Sequence, residues 1–519
     1  MNEAGVHRDE RPRRIRGCVL RIGVMRWQNI KHHVREVFRP QGLQTDVGAS
    51  PESELTQVSG QQEEIDQMIE EDELLTEQSK VVMRLGHMLL ACGASSFRVK
   101  VSMSRLAAAL GVREHHAQVT FGEISSTVYG KCNFRTEVSE QRTFGTNAAQ
   151  LDRLRVFVQH LKVRMSVEEA NRALDKIAAN GPEYGTVANM LASGISCACF
   201  CFLNRGGLVE CILAGIAATA GQALRKQMMI RHMNHFGIWM ACGVVASTIY
   251  VALATLFNLA LPHLASASEI ANLPVWFTGT SSGYHAGIVS AVLFLVPGFP
   301  LITAMLDLVR SDLAAGVNRS VYVMMLVVSA GAAVWLTSLA FSWAVDPPAT
   351  PPISGVGLYL VRMLCSFIAA YGFAMLFNCT LEVSFWAALI CAIVNPLRFF
   401  GVEEGLLWQF AVGVEAFAIG MGAHFISKAT KYAYSRVSLS VPAAVLMIPG
   451  VPLYAGLTHM NQGNYAEAIS SITEVCIVIL AVGIGLALAR MVTDPNWRTE
   501  SELRKLHPGA KTAHRYVMR

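Results

Sequence analysis

Two copies of one fragment, Pro297-Gly298-Phe299-Pro300-Leu301 and Pro449-Gly450-Val451-Pro452-Leu453, each interrupt a long apolar stretch. Proline lacks an N–H and breaks helices, and glycine loosens them further. In hydrocarbon such a break survives only where the freed backbone groups meet other protein groups or line a cavity. Paired breaks at corresponding points of two membrane halves are the sequence pointer to a transporter's binding site. The plainer reading is two helix-ending loops alike by chance. A small zwitterion needs one site for its carboxylate and one for its amine. Half-helix N-termini and exposed amides suit the first; carbonyls or acidic side chains suit the second. Pro297, Gly298, Pro300, Pro449, Gly450 and Pro452 are therefore candidate substrate-binding positions, with Asn378 and Asn395 as weaker ones at span ends.

Coupling to protons needs a titratable group that changes exposure, and acidic residues within apolar spans are rare and usually functional. Glu415 is flanked by Val-Gly-Val and Ala-Phe-Ala, near the middle of one span. It is the sharpest candidate, and its alternative is a structural hydrogen bond between helices. Glu210 and Glu474 lie nearer span ends, while Asp307 and Asp312 follow the first break. Those two read either as a relay or as a solvated loop paired with Arg310. His424 near the end of a span reads as an interfacial residue.

The composition sets the frame for these groups. The chain has 519 residues, 52% of them hydrophobic, with mean hydropathy +0.38 and only 16% charged, against about 25% in ordinary soluble proteins. Charge is concentrated in residues 1–185, so a polar region precedes a polytopic membrane domain. The Arg/Lys-rich stretch from Arg8 to Arg39 carries Trp27, Ile30, Val34 and Val37 at helical spacing. It reads as a disordered tail or as a basic amphipathic helix on an anionic surface. The twelve cysteines are scattered through apolar spans without metal-ligand spacing and read as buried thiols. No metal or cofactor is expected.

Residues 41–70 read as a polar linker within an N-terminal extension, 1–73, and residues 74–185 as a small α+β domain. Val81, Leu85, Met88 and Cys92 mark a first helix ended at Gly93-Ala94. Val99, Met103, Leu106 and Leu110 mark a second, stopped by Gly111. Strands are expected at Val119–Phe121 and Phe134–Val138. Leu151, Leu154, Val158 and Leu161 mark a third helix, and a capping box at Ser166-Val-Glu-Glu169 opens a fourth that ends before Gly181-Pro182.

Ten apolar spans follow, near 188–203, 207–223, 236–259, 285–306, 320–343, 358–377, 383–400, 407–427, 438–457 and 468–490. The loops on one side hold Arg225, Lys226, Arg231, Arg310, Arg319, Lys428, Lys431 and Arg436, and those on the other only Arg205 and Arg398. Positive charge marks the cytoplasmic side, so both termini, including the basic tail 493–519, are expected there, in a plasma or inner membrane. The breaks fall in spans four and nine. Phe202-Leu203-Asn204 matches Leu376-Phe377-Asn378, and Leu224-Arg225 matches Leu397-Arg398. Two five-span repeats, 186–343 and 344–492, are expected, with opposite topology because each has an odd number of spans.

The segment Gly93-Ala-Ser-Ser-Phe-Arg-Val-Lys-Val-Ser-Met-Ser-Arg-Leu-Ala-Ala-Ala-Leu-Gly111 resembles the opening helix of the threonine/serine exporter family. So does the order of features: a polar α+β domain, ten spans, and Leu-Val-Pro297-Gly298 followed by Asp307-Leu-Val-Arg310-Ser-Asp312-Leu-Ala-Ala-Gly316. The resemblance covers roughly 75–492, and the family includes bacterial versions split into two chains. It implies secondary export of L-threonine and L-serine driven by the proton motive force, by a protein that is not an enzyme. The long N-terminal extension and the lack of acidic residues before Pro449 depart from the family. The expected partners are a small-molecule substrate and the lipid bilayer, with a homo-oligomer left open and no nucleic acid.

Other classes remain open at this level. Export of other small metabolites such as dicarboxylates is one. A hydrolase using Ser95, Ser96, Ser102 or Ser104 with His115 or His116 is another, though no nucleophile elbow supports it. A sensor would leave the intramembrane carboxylates unexplained, and a channel lacks a repeated polar filter. Without Walker or Gly-rich nucleotide motifs, ATP-driven transport is not expected.

Overall fold

The computed structural model describes residues 51–131, 133–142, 144–264, 285–341, 353–429 and 434–499. The basic stretch Arg8–Arg39 and the tail beyond residue 499 lie outside the described residues. The chain divides into two units, Met1–Glu70 and Glu71–Arg519. Residues 51–70, part of the expected linker, belong to helix α1, Pro51–Ala91.

Within the second unit, the N-terminal domain is built as its apolar spacing requires. Leu75, Val81, Leu85 and Leu89 of α1 are buried with Val99, Met103 and Leu106 of α2, Ser96–Ala109. Gly93, with φ +89°, makes the turn between them, a backbone state that L side chains resist. The sheet has three antiparallel strands in the order β1-β2-β3: Glu114–Val119, Glu123–Tyr129 and Phe134–Glu140. The first strand lies earlier than the expected Val119–Phe121 and shares only Val119 with it, and the central strand, paired His115 to Val128 and Thr127 to Thr136, is missed by the sequence reading. In its Glu-Ile-Ser-Ser-Thr-Val-Tyr the run Ser125-Ser126-Thr127 puts a hydroxyl on the inward-facing positions too, so the apolar alternation is weak. Ile124, Ser126 and Val128 form its buried face. Helices α3, Ala148–Gln159, and α4, Val167–Ala178, complete the domain. The Ser166 hydroxyl accepts the Glu169 N–H at 3.1 Å, capping α4.

The remaining helices are α5 Thr186–Leu203, α6 Leu208–Ile230, α7 His235–Leu264, α8 His285–Ala291, α9 Gly298–Val309, α10 Leu313–Ala340, α11 Val356–Leu376, α12 Leu381–Glu403, α13 Trp408–Ala429, α14 Arg436–Ala444, α15 Gly450–Asn461, α16 Tyr465–Thr493 and the short α17 Pro495–Thr499. Among the described residues eight helices are long and apolar enough to cross a membrane, and nine if the α14–α15 pair, bent by 41°, counts as one. The fourth apolar stretch appears instead as α8, a 3₁₀ turn at Leu293–Leu295, and α9, which is too short alone. Both Pro-Gly fragments open the second helix of a broken pair, with Pro297 and Pro449 at the N-caps. Prolines are tolerated there because the first-turn N–H groups lack helical partners anyway.

Packing is similar in the two series of helices. Helix α5 packs on α6, α6 on α7, α7 on α10 and α9 on α10; in the second half α11 packs on α12, α12 on α13, α13 on α16 and α15 on α16. Contacts between the halves come in exchanged pairs: α9 meets α16 and α15 meets α10, while α8 meets α15 and α14 meets α9. An offset of 152 residues relates Gly298 to Gly450, Met305 to Leu457 and Gly331 to Gly483. A Cβ on Gly483 would lie 2.9 Å from Cβ of Met305, and one on Gly331 would lie 2.9 Å from Cδ1 of Leu457. A similar small-against-large contact thus occurs at both places.

Candidate substrate site

The two breaks differ in polarity. Around the second, Pro449 lines an apolar crevice of about 10 Å³ with Met305 and Ile448. Gly450 lines an apolar cavity of about 60 Å³ with Val289, Leu453 and Tyr454. Neither offers a charged group to a zwitterion, and Pro452 lines neither. Around the first break, Pro297 and Pro300 line a cavity of about 310 Å³ between the N-terminal domain and the membrane helices. Its polar wall carries Arg225, Arg319, His235, Tyr322 and Thr303, and no Asp or Glu is among the described residues that line it.

The local reason for these groups is the break itself. The 3₁₀ turn frees the carbonyls of Phe294 and Leu295 from helical bonding. The Arg225 guanidinium donates to Phe294 O at 3.0 Å, and the Trp239 indole N–H donates to Leu295 O. Arg225 also lies over the Trp239 ring at 4.6 Å. His235 Nδ1 and the Tyr322 hydroxyl are 2.7 Å apart, which fixes the phenol in the cavity wall. The equivalent arginine in the second half, Arg398, lies over Trp408 at 4.4 Å. Each half thus stacks an arginine near the end of its second long helix on a tryptophan near the start of its third.

Arg319 is the strongest polar feature of the cavity. It is 1% exposed and donates from Nη2 to Ala94 O at 2.9 Å, and its Nη2 lies 3.7 Å from Asp307 Oδ2. Its Nε and Nη1 have no hydrogen-bond partner. A buried cation with unused donors is costly unless an acceptor arrives.

Asp307 and Asp312 sit together under the N-terminal domain. Ser96 donates its N–H to Asp307 Oδ1 at 3.1 Å, and its hydroxyl approaches Asp307 Oδ1 at 3.3 Å and Asp312 Oδ2 at 2.6 Å. Lys100 Nζ is 2.5 Å from Asp312 Oδ1. Asp307 is therefore buried against Ser96 and Arg319, and the reading as a solvated loop is corrected: it lacked the covering N-terminal domain.

The other candidates lie elsewhere. Glu415, 2% exposed, is 2.6 Å from Arg398 Nε. Arg398 reaches Asn395 Oδ1 at 2.6 Å, and Asn395 donates to Ser366 Oγ at 2.8 Å. This network lies within the second half, and Arg398 Nη1 and both Glu415 carboxylate oxygens have no hydrogen-bond partner beyond the ion pair. Arg398 is buried inside α12, so its assignment to a loop is overturned. Asn378, with φ +55°, donates to Asn147 Oδ1 at 2.7 Å and accepts the Glu183 N–H at 2.8 Å. It docks the N-terminal domain and is outside the cavity lining. Glu210 accepts the Gly207 N–H at 2.5 Å and caps its own helix. Glu474 is half-buried on α16. His115, central to the hydrolase alternative, is buried between Ser104 Oγ at 2.9 Å and Ser126 Oγ at 3.0 Å.

Sequence reading therefore found the first break but missed Arg225, Arg319, His235 and Tyr322. The arginines had been placed in loops by charge, and only the folded helices turn them inward. For Arg319 a usable signal was present, a single cation several residues inside an otherwise apolar helix.

Comparison with known proteins agrees with the motifs. A family model described as "Putative threonine/serine exporter" matches residues 80–341, and one described as "Threonine/Serine exporter, ThrE" matches residues 362–492. Similar curated proteins are titled "Probable succinate transporter subunit YjjP". The one from Escherichia coli (strain K12) is 28% identical over 252 residues, covering 47% of this chain and 88% of the relative. The one from Klebsiella aerogenes is 26% identical over 234 residues, covering 44% and 81%. No solved structure matches. With the first family model spanning half of its length and the second most of the remaining membrane helices, this chain belongs to the threonine/serine exporter family, a multi-pass membrane exporter.

Proposed function

We propose that the chain is a secondary exporter of small carboxylates and that they bind in the cavity walled by Arg225 and Arg319. The observation that carries this reading is two guanidinium groups in one cavity with no acidic side chain among its described lining residues. Guanidinium matches carboxylate geometry with paired donors. Two of them suit a dicarboxylate, and the titles of the relatives support that class. L-threonine and L-serine are the second reading, supported by the family match. Their carboxylate would take one arginine and their amine the oxygens of Thr303 or Tyr322.

The repeat relation supports ten spans in two inverted halves, 186–343 and 344–492, after a cytoplasmic domain at 74–185, with both termini cytoplasmic. In this arrangement a membrane-impermeant thiol reagent labels single cysteines at positions 263 and 462 from outside, in a cysteine-free background. Labelling of either only after permeabilisation overturns the topology. Proton-driven export is assigned to Glu415, with Asp307 or Asp312 as relay.

Flux in proteoliposomes tests the substrate. Succinate, threonine and serine are loaded with and without a pH gradient. Arg319→Gln should lower carboxylate flux about tenfold or more, the usual loss of a charged hydrogen bond. Movement of threonine and serine without succinate selects the second reading, and wild-type flux in both Arg319→Gln and Arg225→Gln removes the cavity from consideration.

A further inference from the structure

The N-terminal domain supplies part of the wall of the cavity that holds Arg225 and Arg319, and the side chains it contributes there include two aromatic rings, Phe121 and Phe144. Phe121 sits at the turn between β1 and β2. There the Thr120 N–H donates to Glu123 O at 2.9 Å, and the Gln141 N–H donates to Gly122 O at 2.8 Å. Phe144 follows β3, and its neighbour ties the segment to α1, with the Gly145 N–H donating to Ala91 O at 3.1 Å. Both rings are thus mounted on hydrogen-bonded backbone, which fixes the shape of a site more closely than a loose loop does.

The rings cover one face of α10. Arg319 and Tyr322 lie at i and i+3 and share that face. The Arg319 guanidinium carbon lies 5.4 Å from the Phe121 ring centroid, within the reach of a cation–π contact. Phe121 and Phe144 stack with centroids 4.2 Å apart and ring planes at 15°. Tyr322 packs on both, at 4.9 and 5.6 Å. Ala94 O, also from the N-terminal domain, takes one Arg319 donor, while Nε and Nη1 stay unpartnered. A carboxylate that reaches those donors has its carbon chain beside rings that offer apolar contact and no hydrogen bond. The cavity, at about 310 Å³, is at the low end of small-molecule sites, which run from roughly 300 to 1,000 Å³.

We infer that Phe121 and Phe144 are specificity-determining residues of the substrate site: the N-terminal domain walls the cavity with a stacked ring pair that limits its carboxylates to those with a short, unbranched carbon chain. The inference rests on the proposed seat of the substrate beside Arg319, and it applies to a dicarboxylate and to a small amino acid alike. A bulky substituent needs the volume that the rings fill, and Tyr322 stands behind both of them. The N-terminal domain is then a part of the substrate site.

The test uses the full chain in proteoliposomes. Flux of succinate is compared with that of 2-benzylsuccinate, and flux of serine with that of phenylalanine. Phe121→Ala and Phe144→Ala should each raise the bulky-to-small ratio about tenfold or more in whichever pair the wild type moves, the scale on which an apolar pocket discriminates by size. Phe121→Leu keeps apolar cover and should give an intermediate ratio; it decides the matter if the alanine variants do not fold. Loss of stability alone lowers both fluxes of a pair and leaves their ratio where it was. Unchanged ratios, with flux still lost in Arg319→Gln, overturn the inference and leave the cavity as the substrate site. The substrate reading itself fails, and this assignment with it, if neither pair moves or if Arg319→Gln and Arg225→Gln both keep wild-type flux.

Discussion

A Cβ on Gly298 would lie 2.4 Å from Cγ2 of Val445, so the first break of the chain is seated directly on the 3₁₀ turn Val445–Met447 that precedes the second. Gly450 is seated more loosely and on a different element, since a Cβ there would lie 3.2 Å from Cγ1 of Val289 on α8. The first break is thus packed tightly against the second, while Gly450 also borders the apolar cavity of about 60 Å³.

That asymmetry predicts an order of effects. Gly298→Ala meets a β-branched side chain fixed in the core and should cost about 1–3 kcal/mol by overpacking. Gly450→Ala needs a shift of only a few tenths of an ångström and should cost less. Gly298→Leu should abolish flux while the protein remains inserted. Thermal unfolding in detergent gives the stabilities, and Gly450→Ala proving the more damaging of the two alanine variants would refute the packing argument.

Glu415 and Arg398 carry the second prediction. Removing one partner of a buried pair leaves an uncompensated charge, typically at about 3–5 kcal/mol. Arg398 keeps Asn395 and the faces of Phe399 and Trp408, so Glu415→Gln should fall at the lower end. If Glu415 binds the transported proton, the same variant loses pH-gradient-driven accumulation but keeps substrate exchange. Replacing both partners by apolar residues, Glu415→Leu with Arg398→Met, should recover stability without recovering accumulation. Accumulation at wild-type rate in Glu415→Gln removes the proton role and leaves the pair as structure.

The contrast between these sites shows what a linear chain discloses. Helices α2, α3 and α4 and the two breaks were legible because periodicity, caps and Pro-Gly interruptions are local. Glu415 was legible as a lone carboxylate among apolar neighbours. Its partner was not, because Arg398 sits seventeen residues away and only the return of the chain from α12 to α13 brings them together. Arg319 and Arg225 were hidden by a rule that is correct on average, that positive charge marks inside loops, since burial by the N-terminal domain cannot be read from hydropathy. Ser96 stood within a recognised motif, but its two acidic partners lie more than two hundred residues downstream.

The last prediction concerns that long-range contact. Ser96 and Lys100, one helical turn apart at the start of α2, hold Asp307 and Asp312 on either side of the α9–α10 turn. The N-terminal domain is thereby attached to the helix that begins at the first break. The Lys100–Asp312 pair is partly exposed, with side chains 20% and 22% accessible, so its coupling should be about 1 kcal/mol and should weaken with salt. Lys100→Glu places a carboxylate beside Asp312 and should open the contact. Protease cleavage near Gly93–Ser96 should then rise, and flux should change without loss of the membrane helices. Adding Asp312→Lys reverses both charges together and should restore the pair. A double-mutant cycle with no coupling, measured by thermal unfolding at low salt, would show that the contact is incidental and that Ser96–Asp307 alone attaches the domain.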